Sequence, residues 1–227
     1  MSSKENINQN KKNITMKKLI LSTNSIIENE GIQNISIRKI AKESNLSSSI
    51  IYKYFDNLDH LIFFSCLEYL DCYINNLQSY VALTSDMIDY SVLSWKCFFH
   101  YSFMYPEIYY RIYFPDFDKD TSEYIKQYYE LFPNKTSKVD EFIKTFIFKS
   151  SIYERNLIVL KTCAKLGLLS FDDIDDLSKM QIHIFYSLLS QVKKGDITPS
   201  EAEIEGVKFI VRTFNSFGKN IDSSKYI

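Results

Sequence analysis

Glycine and proline are scarce in this chain, five and four among 227 residues, and tryptophan occurs once. The short alternating runs bounded by turn residues that mark strands are largely missing, which argues against an all-β fold. Cys66, Cys72, Cys97 and Cys163 stand far apart with no C-x-x-C pair, so they read as reduced core residues of a cytosolic protein. No apolar run reaches the roughly 18 residues a membrane span needs. The first fifteen residues, rich in Ser, Asn, Lys and Gln, lack the apolar stretch of a signal peptide. The expected location is cytoplasmic, with no membrane partner.

Motifs for chemistry are equally absent. No H-E-x-x-H, G-x-S-x-G, glycine-rich phosphate loop or Cys–His arrangement occurs, and His60, His100 and His183 are isolated. Asp116, Asp118 and Asp120 form a D-x-D-x-D run. Thr121 stands where a calcium loop needs glycine and Gln127 where it needs glutamate, so the run reads as a solvated acidic loop. No catalytic residue, metal ligand or cofactor is expected, and the chain does not read as an enzyme.

What is present is 45% hydrophobic sequence, including 17 Tyr and 17 Phe, at helical spacing. That suits a mostly helical protein with a large core, divided into one small and one larger domain. The net charge of −1 is unevenly shared. Residues 1–64 hold nine Lys/Arg against six Asp/Glu, a net +3, which leaves −4 for the remainder. A basic end on an acidic body fits binding to a polyanion at that end, although an excess of three charges also arises by chance.

The most specific pattern lies in residues 36–61. Ile37, Ile40 and Ala41 make one apolar helical face, with Ser36 placed to cap it. Asn45 falls where the chain must turn, and asparagine tolerates left-handed backbone angles better than any residue but glycine. Ser47 can cap a second short helix whose Ile51 and Phe55 point inward. Its other side carries Ser48, Ser49, Tyr52, Lys53 and Tyr54, suited to a helix lying in a DNA major groove.

Ser44-Asn45-Leu46-Ser47-Ser48-Ser49-Ile50-Ile51-Tyr52-Lys53-Tyr54-Phe55, preceded by Ser36-Ile37-Arg38-Lys39-Ile40-Ala41, resembles the helix-turn-helix of the TetR family of bacterial transcriptional regulators. Asn45 replaces the usual turn glycine, and Leu58 replaces a lysine that contacts a phosphate in the family. Met104 to Arg111 loosely resembles that family's P-E-x-[YF]-R segment. The resemblance implies an all-α protein with an N-terminal three-helix helix-turn-helix DNA-binding head on a larger helical ligand-binding and dimerisation body. The implied partners are a double-stranded DNA operator, a second copy of the chain, and a small hydrophobic or aromatic effector. The expected role for this chain is a dimeric repressor, rather than an activator, released from a palindromic operator by that effector.

The expected divisions are a flexible arm over 1–13, the DNA-binding domain over 14–60, the body over 61–220 and a tail over 221–227. Helix 1 should present Met16, Leu19, Ile20, Thr23, Ile26 and Ile27 on one face and stop at Gly31. In the body, Leu61 to Ile74 and Ile88 to Phe103 mark two long helices, and Pro106 opens a short one. A single long helix is expected over Val139–Leu166, closed by Gly167. Helices about 172–194 and 200–217 follow, the first opened by Ser170-Phe171-Asp172-Asp173 and the second by Thr198-Pro199-Ser200-Glu201.

For DNA contact the expected residues are Arg38, Ser47, Ser48, Ser49, Ile50, Tyr52, Lys53 and Tyr54. The serines and Ile50 suit base edges, the tyrosines and Lys53 suit phosphates, and Arg38 suits either a phosphate or a guanine edge. Tyr54 packing against helix 1 is the alternative. For the effector, Trp95, Phe99, Phe103, Tyr128, Phe146 and Tyr153 lie on three helices that surround the pocket in the family. They imply a flat or greasy, poorly charged ligand; any one of them can equally be plain core. Ile182, Phe185, Tyr186 and Leu189, with Val207, Ile210, Val211 and Phe214, form stripes on the last two helices. These are divided between intrachain core and the family's four-helix dimer interface. Control by a protein partner or by abundance, and a helical carrier or enzyme for an apolar substrate, are the rival readings.

Overall fold

The computed structural model describes residues 3–82, 84–114, 121–149 and 151–227. Among them lie eleven α-helices and no strand. The head comprises α1 (Ser3–Glu30), α2 (Ile37–Ser44) and α3 (Ser48–Tyr54). The body contains α4 (Leu58–Val81), α5 (Met87–Met104), α6 (Pro106–Tyr113), α7 (Ser122–Leu131) and α8 (Glu141–Ile147), then α9 (Ile152–Lys165), α10 (Ile174–Lys194) and α11 (Pro199–Ser216). No described helix is long and apolar enough to cross a membrane.

Head and body share one continuous apolar core. Met16, Leu19 and Ile20 of α1 meet Ile40, Ile51 and Phe55 beneath the helix-turn-helix, all nearly inaccessible to solvent. Leu61 and Phe64 of α4 extend that cluster, and the rings of Phe55 and Phe64 meet edge to face at 5.6 Å. In the body α5 is central, packing on α4, α9, α10 and α11. Gly206 permits a close approach of α11 to α5, since a Cβ there would lie 2.7 Å from the Phe99 ring. A polar chain also joins the parts: Asn24 of α1 donates to Glu68 of α4. Lys135 donates to Glu68 at 2.9 Å and to Asp71 at 2.6 Å, and the Tyr128 hydroxyl donates to Asp71 at 2.9 Å. Burial pushes the Asp71 carboxyl upward against the opposing pull of Lys135.

Several expected boundaries move. Residues 3–13 are not a free arm but the first turns of α1. Their side chains are mostly exposed from residue 6 onward, so the helix continues there by propagation from the packed segment rather than by burial. The helix expected over Val139–Leu166 is two. It breaks between Ile147 and Ile152, where Arg155 Nε captures the Lys149 carbonyl at 2.7 Å. Helix α10 begins at Ile174, one turn beyond the Ser170 signal, because Ser170 Oγ accepts only from Asp172 N in a preceding turn. Thr198 and Glu201 do form the reciprocal capping box of α11. The tail is docked: Tyr226 is buried, its hydroxyl and the Lys225 ammonium donate to Asp89 of α5, and Lys96 donates to the Tyr226 carbonyl. Cys66, Cys97 and Cys163 are buried but Cys72 is exposed, against the expectation of four core cysteines. Burial pushes the Cys66 thiol up to about 12 and Cys163 to about 11. Asp116, Asp118 and Asp120 lie outside the described residues.

Candidate nucleic-acid interface and body cavity

Local sequence explains how α3 is presented. Ser36 has extended backbone angles and its hydroxyl accepts from Lys39 N at 3.3 Å, which starts α2. Asn45 then adopts φ 50°, ψ 43°, the left-handed region. Leu46 N reaches back to the Ala41 carbonyl at 3.0 Å and Asn45 N to Lys42 at 3.1 Å, a closing pattern that satisfies the last carbonyls of α2. The tight reversal leaves α3 only one buried hydrophobic residue, Ile51, with Phe55 just beyond its end. Asn57 caps α4 by accepting from His60 N at 2.8 Å.

The sequence-predicted DNA-contact residues are largely accessible to solvent. Arg38, Ser47, Ser49, Tyr52 and Lys53 are exposed, with Tyr52 at 59%, while Ser48 and Ile50 are half-buried. Tyr54 is half-buried against the head core, and Lys53 Nζ lies 5.9 Å from its ring centre. Ser47 makes no cap to the backbone; its hydroxyl pairs with that of Ser49 at 2.8 Å. Leu58, at the position of the family's lysine, is half-buried against the core. Of the neighbouring cations, Lys39 is held by Glu30 at 2.5 Å.

The body contains a recess of about 50 Å³ that opens outward, lined by Tyr73, Ser91, Trp95, Tyr113, Arg155 and Asn156 among others. Of the six aromatics expected to line a pocket, only Trp95 borders this recess, while Phe103 borders a separate cleft with Met104, Pro106 and Val192. Phe99 and Phe103 share its helical face, but eight residues of helix span about 12 Å, so they carry past the recess. Their rings stack at 5.2 Å and pack against Phe185. Tyr128 is buried at Asp71, Phe146 is buried beside Phe142, and Tyr153 is half-buried with its hydroxyl on Asp175. Arg155, Asn156 and Ser91 were missed. The available signal was polar residues at seam positions: Ser91 sits four before Trp95, and Arg155 lies between Ile152 and Val159 at helical spacing.

A buried polar cluster lies beside the recess. Trp95 Nε1 donates to Asn156 Oδ1 and Gln181 Oε1, both at 3.2 Å. Asn156 Nδ2 donates to Gln181 at 2.8 Å and Ser178 at 3.1 Å, and Gln181 Nε2 to Thr213 at 3.2 Å. Such networks fix the relative positions of the four helices they join. The stripes expected to be shared with a dimer partner are covered within the chain: Ile182, Phe185, Leu189, Val207, Ile210, Val211 and Phe214 are all buried and Tyr186 is half-buried. The outward residues are others, including Met180 at 42% and Ile204 at 39% exposure.

No family model and no curated protein matches the chain in sequence. Solved structures do match in fold. The TetR-family transcriptional repressor FadR of Thermus thermophilus, in complex with lauroyl-CoA, aligns with TM-score 0.59 at 10% identity, covering 91% of this chain and 96% of that one. RolR in complex with resorcinol gives 0.57 at 11% identity, covering 94% and 98%. The fatty acid degradation regulator FadR of Bacillus halodurans gives 0.55 at 12%, covering 91% and 97%. At such identities the likeness is one of architecture, and it spans head and body alike: the chain has the fold of the TetR-family transcriptional regulators.

Proposed function

We propose that this protein is a DNA-binding regulator of transcription, a repressor that docks as a homodimer on a palindromic operator and is released by a small molecule held in the body. The observation that carries the reading is the exposure of Ser47, Ser49, Tyr52 and Lys53 on α3, with Arg38 on α2, above a buried Ile51 and Phe55. Helix-turn-helix proteins lay this helix in the major groove, and a dimer needs half-sites about 34–36 Å apart or a multiple of it. The outward faces of α10 and α11, with Met180, Ile184, Ile204 and Phe209 exposed or half-buried, supply apolar surface for the second copy. FadR of T. thermophilus binds lauroyl-CoA and RolR binds resorcinol, which supports a small-molecule effector.

Helix α4 is the coupling element. Near its start Phe64 packs under Phe55 at the end of α3, and nine residues on, roughly 13.5 Å along the axis, Tyr73 lines the recess. A ligand that prefers one setting of α4 shifts the head separation by its differential affinity. A thousandfold preference, about 4 kcal/mol, suffices to release DNA from a moderately biased switch. The tight packing of the body favours a second reading, the same regulator governed by abundance or a protein partner without an effector.

The test is a gel shift against fragments of the source genome. The wild-type chain should retain fragments that share a palindrome, and the Tyr52→Ala/Lys53→Ala variant, folded by circular dichroism, should not. Undiminished retention by that variant removes α3 as the reading helix.

A further inference from the structure

The recess in the body has walls of two kinds. One is aromatic: Trp95 meets Phe98 edge to face at 5.8 Å, and Phe98 meets Tyr113 at 5.7 Å. The other is polar. The Ser91 and Ser94 hydroxyl oxygens are buried with no hydrogen-bond partner, and Ser91 as a whole is only 1% exposed. Arg155, 7% exposed, lines the same space and donates to the Lys149 carbonyl at 2.7 Å and the Tyr113 hydroxyl at 3.0 Å. A buried hydroxyl left unsatisfied costs about 1–3 kcal/mol. Two at one recess are therefore a feature that a ligand's acceptor oxygens would relieve.

We propose that the recess takes a small planar aromatic molecule with an acidic, acceptor-rich edge, of which a single-ring carboxylate is the type. Its ring lies against Trp95 and Phe98, and its oxygens face the Ser91 and Ser94 hydroxyls and the positive charge of Arg155. This deepens the regulator reading, on which the molecule's role as effector rests. Size decides against larger ligands. An engineered cavity of about 150 Å³ admits benzene, against about 50 Å³ here, so a single ring is the upper limit and its entry requires the recess to widen toward its open side. Pockets for drug-sized ligands run to about 300–1,000 Å³, far above the volume of about 50 Å³ here, so such ligands would require the helices to separate. A hydrocarbon leaves both serines unsatisfied, and an organic cation meets Arg155.

Trp95 is the sole tryptophan, so its emission reports occupancy directly. The full chain is titrated with benzoate, toluene and benzylammonium. Benzoate should change Trp95 emission saturably, with toluene and benzylammonium at least tenfold weaker. The Ser91→Ala/Ser94→Ala variant should melt at the wild-type temperature or above, since it removes unsatisfied groups, yet bind benzoate about tenfold more weakly. Unchanged Trp95 emission with benzoate, equal binding of toluene or benzylammonium, or full affinity in the double variant overturns the proposal. A gel shift with benzoate separates the two readings. Saturable binding that leaves the DNA complex intact supports the recess chemistry and removes its regulatory role.

Discussion

Trp95 Nε1 lies 3.2 Å from Gln181 Oε1 and ties α5 to α10 inside the body. Gln181 is fully buried and also serves Asn156 and Thr213, so one amide fixes α5, α9, α10 and α11 together. Gln181→Met keeps the volume but strips both functions. Asn156 Nδ2 retains Ser178, Trp95 retains Asn156, and the Thr213 hydroxyl still donates to the Ile210 carbonyl. The expected loss is about 2 kcal/mol, that of a partly broken buried network. Trp95→Phe in the same background should cost less than it does alone, and a double-mutant cycle by urea unfolding measures that coupling.

The docked C-terminus makes part of the stability pH-dependent. Burial pushes the Asp89 carboxyl up, but hydrogen bonds from Lys225 and Tyr226 outweigh it and hold the net value below the ordinary carboxylate range. A depressed folded value means the charged form is favoured by folding. Its contribution is present above the unfolded value near 3.9 and is lost as pH falls through the lower folded value. Asp89→Asn should therefore melt earlier than wild type at pH 7, by about 1 kcal/mol after solvent screening. The gap should close below about pH 4, and a gap that widens in acid contradicts the assignment.

The head was readable from residues alone because its rules are local. Ser36, Asn45 and the Ile51/Phe55 spacing each act within a turn of their own position, and each is found in its expected backbone state. The break in α8–α9 was not readable, since Arg155 takes the Lys149 carbonyl while donating to the distant Tyr113 hydroxyl, an arrangement that no helical period encodes. The same holds for the recess. Period places Trp95, Phe99 and Phe103 on one face, but which turn of that face borders empty space depends on how α9 and α6 pack. How the stripes of α10 and α11 divide was likewise hidden in the period: the most apolar positions took the intrachain role, packing on α5 and on each other.

Asn45 is the one described non-glycine residue with positive φ, and its strain is testable. Asn45→Gly removes the Cβ conflict and should leave stability unchanged or raise it by a few tenths of a kcal/mol. Asn45→Val introduces a β-branched residue where left-handed geometry costs about 1–2 kcal/mol, and stability should fall by that amount. If α3 reads DNA as proposed, the valine variant should also lose operator affinity out of proportion to its stability, because the turn sets the angle of α3. Melting temperature and gel shift on the same preparations check both.

Gly206 sits in the interior of α11, where glycine costs about 1 kcal/mol relative to alanine, so its presence calls for a compensating contact. The contact is Phe99: a Cβ at 206 would lie 2.7 Å and 2.9 Å from two atoms of its ring and 3.2 Å from Leu188 Cδ1. The ring cannot swing aside, since Phe99 is inaccessible to solvent, stacked on Phe103 and in tilted contact with Trp95. Overpacking of about 1–3 kcal/mol then exceeds the helical gain of about 1 kcal/mol. Gly206→Ala should lower stability by about 1 kcal/mol, a drop of roughly 2–4 °C in melting temperature. Phe99→Leu should restore part of that loss when combined with it. The displacement has a functional side as well. Pushing α11 off α5 tilts the surface bearing Ile204, so the dimer proposed to form there should dissociate at lower dilution in the alanine variant, as sedimentation would measure. A variant that melts later than wild type would mean the α5–α11 approach is looser than these distances imply.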